Sequence, residues 1–66
     1  MITIYTQEKC ARCNVLKKKM DAKNIHYVEC NDFDTLVSKG VDFTPMLEVD
    51  ESMMDYGTAI EWVNGV

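Results

Sequence analysis

Ile2-Thr3-Ile4-Tyr5-Thr6-Gln7-Glu8-Lys9-Cys10-Ala11-Arg12-Cys13 is the stretch that decides the fold. Ile2 to Thr6 alternates and is rich in β-branched residues, which reads as a strand. From Ala11 to Lys23 there is no Gly or Pro, and good helix formers dominate. Cys13, Leu16 and Met20 fall three and four apart and mark one buried stripe. The lysines at 17 to 19 mostly take the opposite side, and Asn24 stops the helix.

Cys10 therefore lies where a strand ends and a helix begins. The unpaired N–H groups and macrodipole of a helix N-terminus favour an anion. Thiolates in such settings titrate at roughly 3.5–7.5 rather than about 8.5. Lys9 and Arg12 add positive potential beside the sulfur. Cys13, one helical turn further in, is expected beneath Cys10 and facing the sheet. The two thiols thus take unequal roles. Cys10 is the exposed nucleophile that forms a mixed disulfide, and Cys13 is the resolving thiol that releases it.

The rest of the chain supplies the frame. Ile25 to Cys30 reads as a second strand. Asn31, Asp32 and Asp34 offer caps for a short helix through Lys39, which Gly40 ends. Met46 to Val49 and Ser52 to Asp55 are strands joined by a tight hairpin at Asp50-Glu51. Gly57-Thr58 opens a last helix in which Tyr56, Ile60 and Val63 share a face. The order β-α-β-α-β-β-α makes this an α/β chain. Its first two strands are parallel through a right-handed crossover, and its final hairpin is antiparallel. Pro45 cannot donate to a ladder, so it sits at the start of the third strand. A trans proline in a plain turn is the default, since cis occurs in only about 5–6% of X–Pro bonds, but the order of motif, helix, strand, helix, Thr44-Pro45 and hairpin raises the cis reading well above that rate. No repeat or linker interrupts residues 1–66, which form one domain.

Composition narrows the function. A chain of 66 residues buries only about 60% of its unfolded surface, so its core is thin. Three cysteines, two of them in a Cys-x-x-Cys, cannot staple it, because so short a loop constrains almost nothing. The cysteines are chemical rather than structural. Apolar residues make up 47% and charged residues 27%, as in ordinary soluble domains. No apolar run is long enough to span a membrane, and no basic, then apolar, leader precedes Ile2. The expected setting is the reducing cytoplasm, where Cys-x-x-Cys signals redox or metal chemistry. The net charge of −4 divides into +4 over residues 1–28 and −8 over residues 29–66. The acidic balance argues against nucleic acid, and the lysine run reads as a solvated helix face. The five methionines read as core filling, His26 as a sheet residue near the surface, and Cys30 as a small apolar residue. A monomer is the simplest expectation.

Taken together, Ile4-Tyr5-Thr6 before Cys10-Ala11-Arg12-Cys13, then Thr44-Pro45-Met46-Leu47-Glu48-Val49, then a strand ending at Asp55 before Gly57, resembles a glutaredoxin or a closely related small redoxin. The resemblance covers the whole chain. It implies a thioredoxin fold, with a four-stranded mixed sheet flanked by three helices. It also implies reduction of protein or small-molecule disulfides with electrons from glutathione or a thioredoxin-type reductase, and no bound cofactor. By the same resemblance Cys10 and Cys13 are catalytic, and Pro45 is a cis-proline facing them. Thr44 offers its backbone to an extended substrate segment or to glutathione. Lys9, Arg12, Gly57 and Thr58 complete the substrate-contacting set. Ala11 and Arg12 replace the family's usual proline and tyrosine, which alters the redox poise. Glutathione-using members carry two glycines and an acid before the last helix, whereas this chain reads Tyr56-Gly57-Thr58-Ala59. The donor is left open between glutathione and a reductase.

Two rival readings exist. Cys10-x2-Cys13-x12-His26-x3-Cys30 has the spacing of a zinc ligand set. On a strand, however, His26 and Cys30 would lie about 13 Å apart, at about 3.3 Å per residue. Zinc bonds of about 2.0–2.3 Å cannot close that gap, so no metal site is expected. The other rival is a binding module without activity on the same fold. Two intact cysteines beside charged neighbours favour an enzyme.

Overall fold

The alternation of β1 (Ile2–Tyr5) sorts the molecule into two faces. The computed structural model describes all of Met1–Val66. The other elements are α1 (Ala11–Ala22), β2 (Val28–Cys30), α2 (Phe33–Ser38), β3 (Met46–Val49), β4 (Ser52–Met54) and α3 (Tyr56–Gly65). They form one four-stranded sheet in the order β2-β1-β3-β4. β1 pairs with β2 in parallel and with β3 antiparallel, and β3 pairs antiparallel with β4. This is the mixed sheet with three helices that the element order predicts.

Ile4 and its antiparallel partner Leu47 point to the face covered by α1 and α3. There they meet Leu16, Met20, Ala59 and Val63 in a fully buried core. Each such large apolar side chain contributes about 1.5–3 kcal/mol by leaving water. Thr3, Tyr5 and Glu48 alternate onto the other face. Lys39, which caps the C-terminus of α2, reaches Glu48 there at 3.9 Å, so α2 lies on that side. Tyr5 donates its hydroxyl to Glu48. Burial first, and then Glu48, push the Tyr5 phenol up to about 12, so it stays a protonated donor.

Several boundaries differ from the sequence reading, each for a local reason. The first strand ends at Tyr5, although the Thr6 N–H still donates to the Cys30 carbonyl at 2.9 Å. α1 stops at Ala22, one residue before Lys23, and Asn24 takes the left-handed conformation (φ 57°). Ile25 then donates its N–H back to the Met20 carbonyl at 3.0 Å, so it docks on the helix end rather than on β1. Pairing with β1 begins only at Val28, opposite Thr3. His26 is consequently an exposed loop residue, not a sheet residue. α2 ends at Ser38, before Lys39, and Gly40 follows at a φ of 71°. Of the three candidate caps for α2, Asp32 does the work, accepting from the Thr35 N–H and hydroxyl. β4 ends at Met54, because the Asp55 carboxylate turns to cap α3, accepting the Thr58 N–H at 2.8 Å. α3 accordingly starts at Tyr56, ahead of Gly57. The methionines are mostly not core filling: only Met20 is fully buried, Met46 and Met54 are half-buried, and Met1 and Met53 are exposed. Met53 faces away from the core, opposite Glu48 on the outermost strand. No helix is long and apolar enough to cross a membrane.

One polar network ties α1 to β2. The Glu29 carboxylate accepts from the Lys17 ammonium at 3.0 Å and from the Thr6 hydroxyl at 2.9 Å. Lys17 first, and then Thr6, hold the Glu29 carboxyl below its ordinary value of 4.5. A depressed carboxyl adds stability that is complete above its unfolded value and is lost as pH falls through its folded value. Thermal unfolding should therefore show a stability loss as pH drops below about 4.5. Glu29→Gln, which cannot ionise, is expected to be less stable near neutrality and to lose less across that acid range.

Candidate functional site

The connection between β1 and α1 reverses within a few residues. Lys9 takes a φ of 58°, a left-handed conformation uncommon for a side-chain-bearing residue. Cys10 follows in an extended conformation as the N-cap of α1, and its Sγ accepts the Cys13 N–H at 3.1 Å. A sulfur thus occupies the place that a serine or aspartate oxygen takes at other helix starts. The two cysteines are joined as a disulfide, with Cα atoms 5.2 Å apart. Cys10 is half-buried and Cys13 is 1% exposed. Only one sulfur of the pair is open to an incoming group, as their spacing on the helix predicts.

Thr44 and Pro45 arrive from the far side of the chain. β3 runs antiparallel to β1, and its first residue, Met46, pairs with Tyr5, the last of β1. The residues just before β3 therefore land beside the loop that follows β1. The Thr44 hydroxyl donates to the Cys10 Sγ at 3.7 Å. The Thr44–Pro45 peptide bond is cis, and Pro45 is fully buried.

The basic residues divide. Lys9 is exposed and makes no ion pair. The Arg12 guanidinium instead sits over the Tyr56 ring, 5.5 Å from its centroid. Such a stack is worth about 0.5–1 kcal/mol at exposed sites, and here it links the start of α1 to the start of α3. The Arg12–Tyr56 contact is the one that sequence reasoning missed, since a lone aromatic at a helix start carries no signal of its partner. Gly57 and Thr58 are exposed and make no hydrogen bond to the cysteine loop. The Thr58 N–H is already taken by Asp55, so Thr58 is the third residue of the helix rather than its cap. A side chain at Gly57 would meet only the Asp55 carboxylate, at 3.9 Å, so packing does not demand glycine there.

Cys30 is free and half-buried at the end of β2. No three His, Cys, Asp or Glu side chains gather to hold a metal ion. A cleft of about 570 Å³ opens on the α2 face of the sheet, lined by Thr3, Tyr5, Lys39 and Glu48 and rimmed by Met1, Asp50 and Glu51. Neither Cys10 nor Cys13 lines it. The disulfide lies apart from this cleft, with Cys10 half-buried and Cys13 buried.

No family profile matches the chain, and no curated protein matches it. Among solved structures it is similar to the crystal structure of a mutant of the thioredoxin-like protein BC3987. The TM-score is 0.80 at 24% identity, over 98% of this chain and 96% of that one. The chain has a thioredoxin-like fold, with its Cys10–Cys13 disulfide at the start of α1.

Proposed function

We propose that the chain is a dithiol oxidoreductase of glutaredoxin type that reduces disulfides through Cys10 and Cys13. The observation that carries this reading is the unequal burial of two bonded sulfurs at a helix N-terminus. In the reduced protein the Cys10 thiolate attacks one sulfur of a substrate disulfide, and the other leaves as a thiolate that takes up a proton. Cys13, losing its own proton, then attacks the Cys10 Sγ. This frees the second substrate thiol and leaves the Cys10–Cys13 disulfide, so two electrons have passed to the substrate. The Cys13 N–H and the Thr44 hydroxyl both point at the Cys10 Sγ and favour its anionic form. Two glutathione thiols, or a thioredoxin-type reductase, return the electrons. Thr44 and Pro45 receive the extended substrate segment, Lys9 and Arg12 supply positive potential, and Gly57 and Thr58 border the site at α3. The enzyme works as a monomer in the cytoplasm on protein disulfides, with no bound cofactor or metal.

Three measurements test this. Cys13→Ser removes the resolving thiol, so Cys10 should accumulate as a stable mixed disulfide, visible as an adduct by mass spectrometry. Turnover of a protein disulfide at the wild-type rate would sink the two-thiol scheme. Thr44→Val removes one donor to the thiolate, worth about 1 kcal/mol. Alkylation of reduced Cys10 by iodoacetamide at mildly acidic pH should slow by about fivefold. NADPH oxidation coupled through glutathione and glutathione reductase, compared with thioredoxin reductase alone, assigns the donor. The single glycine at Tyr56-Gly57-Thr58, with Thr58 already committed to Asp55, favours the reductase.

A further inference from the structure

The surface beside the disulfide carries an apolar patch that the proposed chemistry does not use. Within α2, Leu36 is 2% exposed and points inward, whereas Phe33 and Val37 are 68% and 61% exposed. These two lie one turn apart on the same side of the helix. Phe43, 57% exposed, directly precedes Thr44. Tyr5 brings the segments together, because Cys30 and Met46 flank it on either side in the sheet. Phe33 follows Cys30 by three residues, and Phe43 precedes Met46 by three. Both phenylalanines therefore belong to the end of the sheet from which the chain runs on to Cys10.

On the side of α2 and the segment before Thr44 the border is acidic, whereas Lys9 and Arg12 lie on the cysteine-loop side. Asp32, Asp34 and Asp42 are exposed, and none makes an ion pair. Lys39 is the one cation between residues 29 and 47, and it is turned to Glu48. Large apolar side chains inside a charged border are the anatomy of a protein-recognition surface. A second copy of the chain, joined through a two-fold axis, would bring this acidic border against itself. The complementary occupant is apolar and bordered by basic groups.

We infer that Phe33, Val37 and Phe43 dock the disulfide-bearing polypeptide itself, and select substrates whose apolar residues are flanked by lysine or arginine. This rests on the thiol–disulfide activity proposed above and names its substrate class. Phe43 leads into Thr44, so a segment lying along Thr44 continues onto the patch. The aspartates steer the basic flanks during encounter, an effect that salt weakens.

The test uses two short peptides, each with one internal disulfide and the same leucine and phenylalanine. One is flanked by lysines and the other by aspartates. The uncharged 2-hydroxyethyl disulfide serves as a control that cannot reach the patch. The readout is the second-order rate constant for oxidation of the reduced full chain. The lysine peptide should react about tenfold faster than the aspartate peptide at low salt, with the gap closing at high salt. Phe33→Ser with Val37→Ser should slow the lysine peptide by about tenfold and leave the control unchanged. Asp34→Lys with Asp42→Lys should reverse the preference, and does so without touching the apolar side chains. Equal rates for the two peptides would overturn the inference. So would a serine variant that slows the control equally, or a dimer in sedimentation that this variant dissolves. If even the control fails to oxidise the protein, the redox reading itself falls, which is a distinguishable result.

Discussion

The antiparallel register of β1 and β3 is the constraint on which the site depends. Pairing Tyr5 with Met46 puts Ile4 against Leu47 on the core face. A slip of one residue would turn every apolar side chain of β3 to the wrong face, so burial of Leu47 fixes the alignment. The same alignment delivers Thr44 to the Cys10 sulfur, across 34 residues of sequence. Core packing and site geometry are thus set by one choice of register. A substitution that disturbs Leu47 would act on the chemistry without touching a cysteine.

The second constraint is local. A helix leaves its first N–H groups unpartnered, and Cys10 stands where one of them can be satisfied by sulfur. The Lys9 turn and the Arg12–Tyr56 stack fix the approach to that position from either side. On the lower side, Lys17 sits one turn past Cys13 on α1 and is held by Glu29, which Thr6 also engages. The motif is consequently braced by β1, β2 and α3, although its four residues belong almost wholly to α1.

Much of this was legible in the chain. The two periodicities, the Cys-x-x-Cys at their junction and the Thr44-Pro45 before a hairpin were enough for the element order, the sheet and the burial of Cys13. What was not legible follows from tertiary contact. Ile25 has the composition of a strand residue, but the end of α1 captures its N–H. Asp55 reads equally as a strand end or a cap, and only the nearby Thr58 N–H decides. Arg12 beside a cysteine suggests a charge aimed at sulfur, yet the Tyr56 ring, distant in sequence, competes for it. The methionines misled because their flexibility suits a core and an open surface equally.

The outer strands of the sheet, β2 and β4, have only three residues each. An exposed sheet edge is a template on which another chain can add by main-chain pairing, and short edges offer few positions for it. Both margins of this sheet are therefore poor templates. Another chain finds little backbone to zip onto at either margin, because the longer strands, β1 and β3, are the two central ones. The fold thereby resists becoming the seed of a cross-β stack.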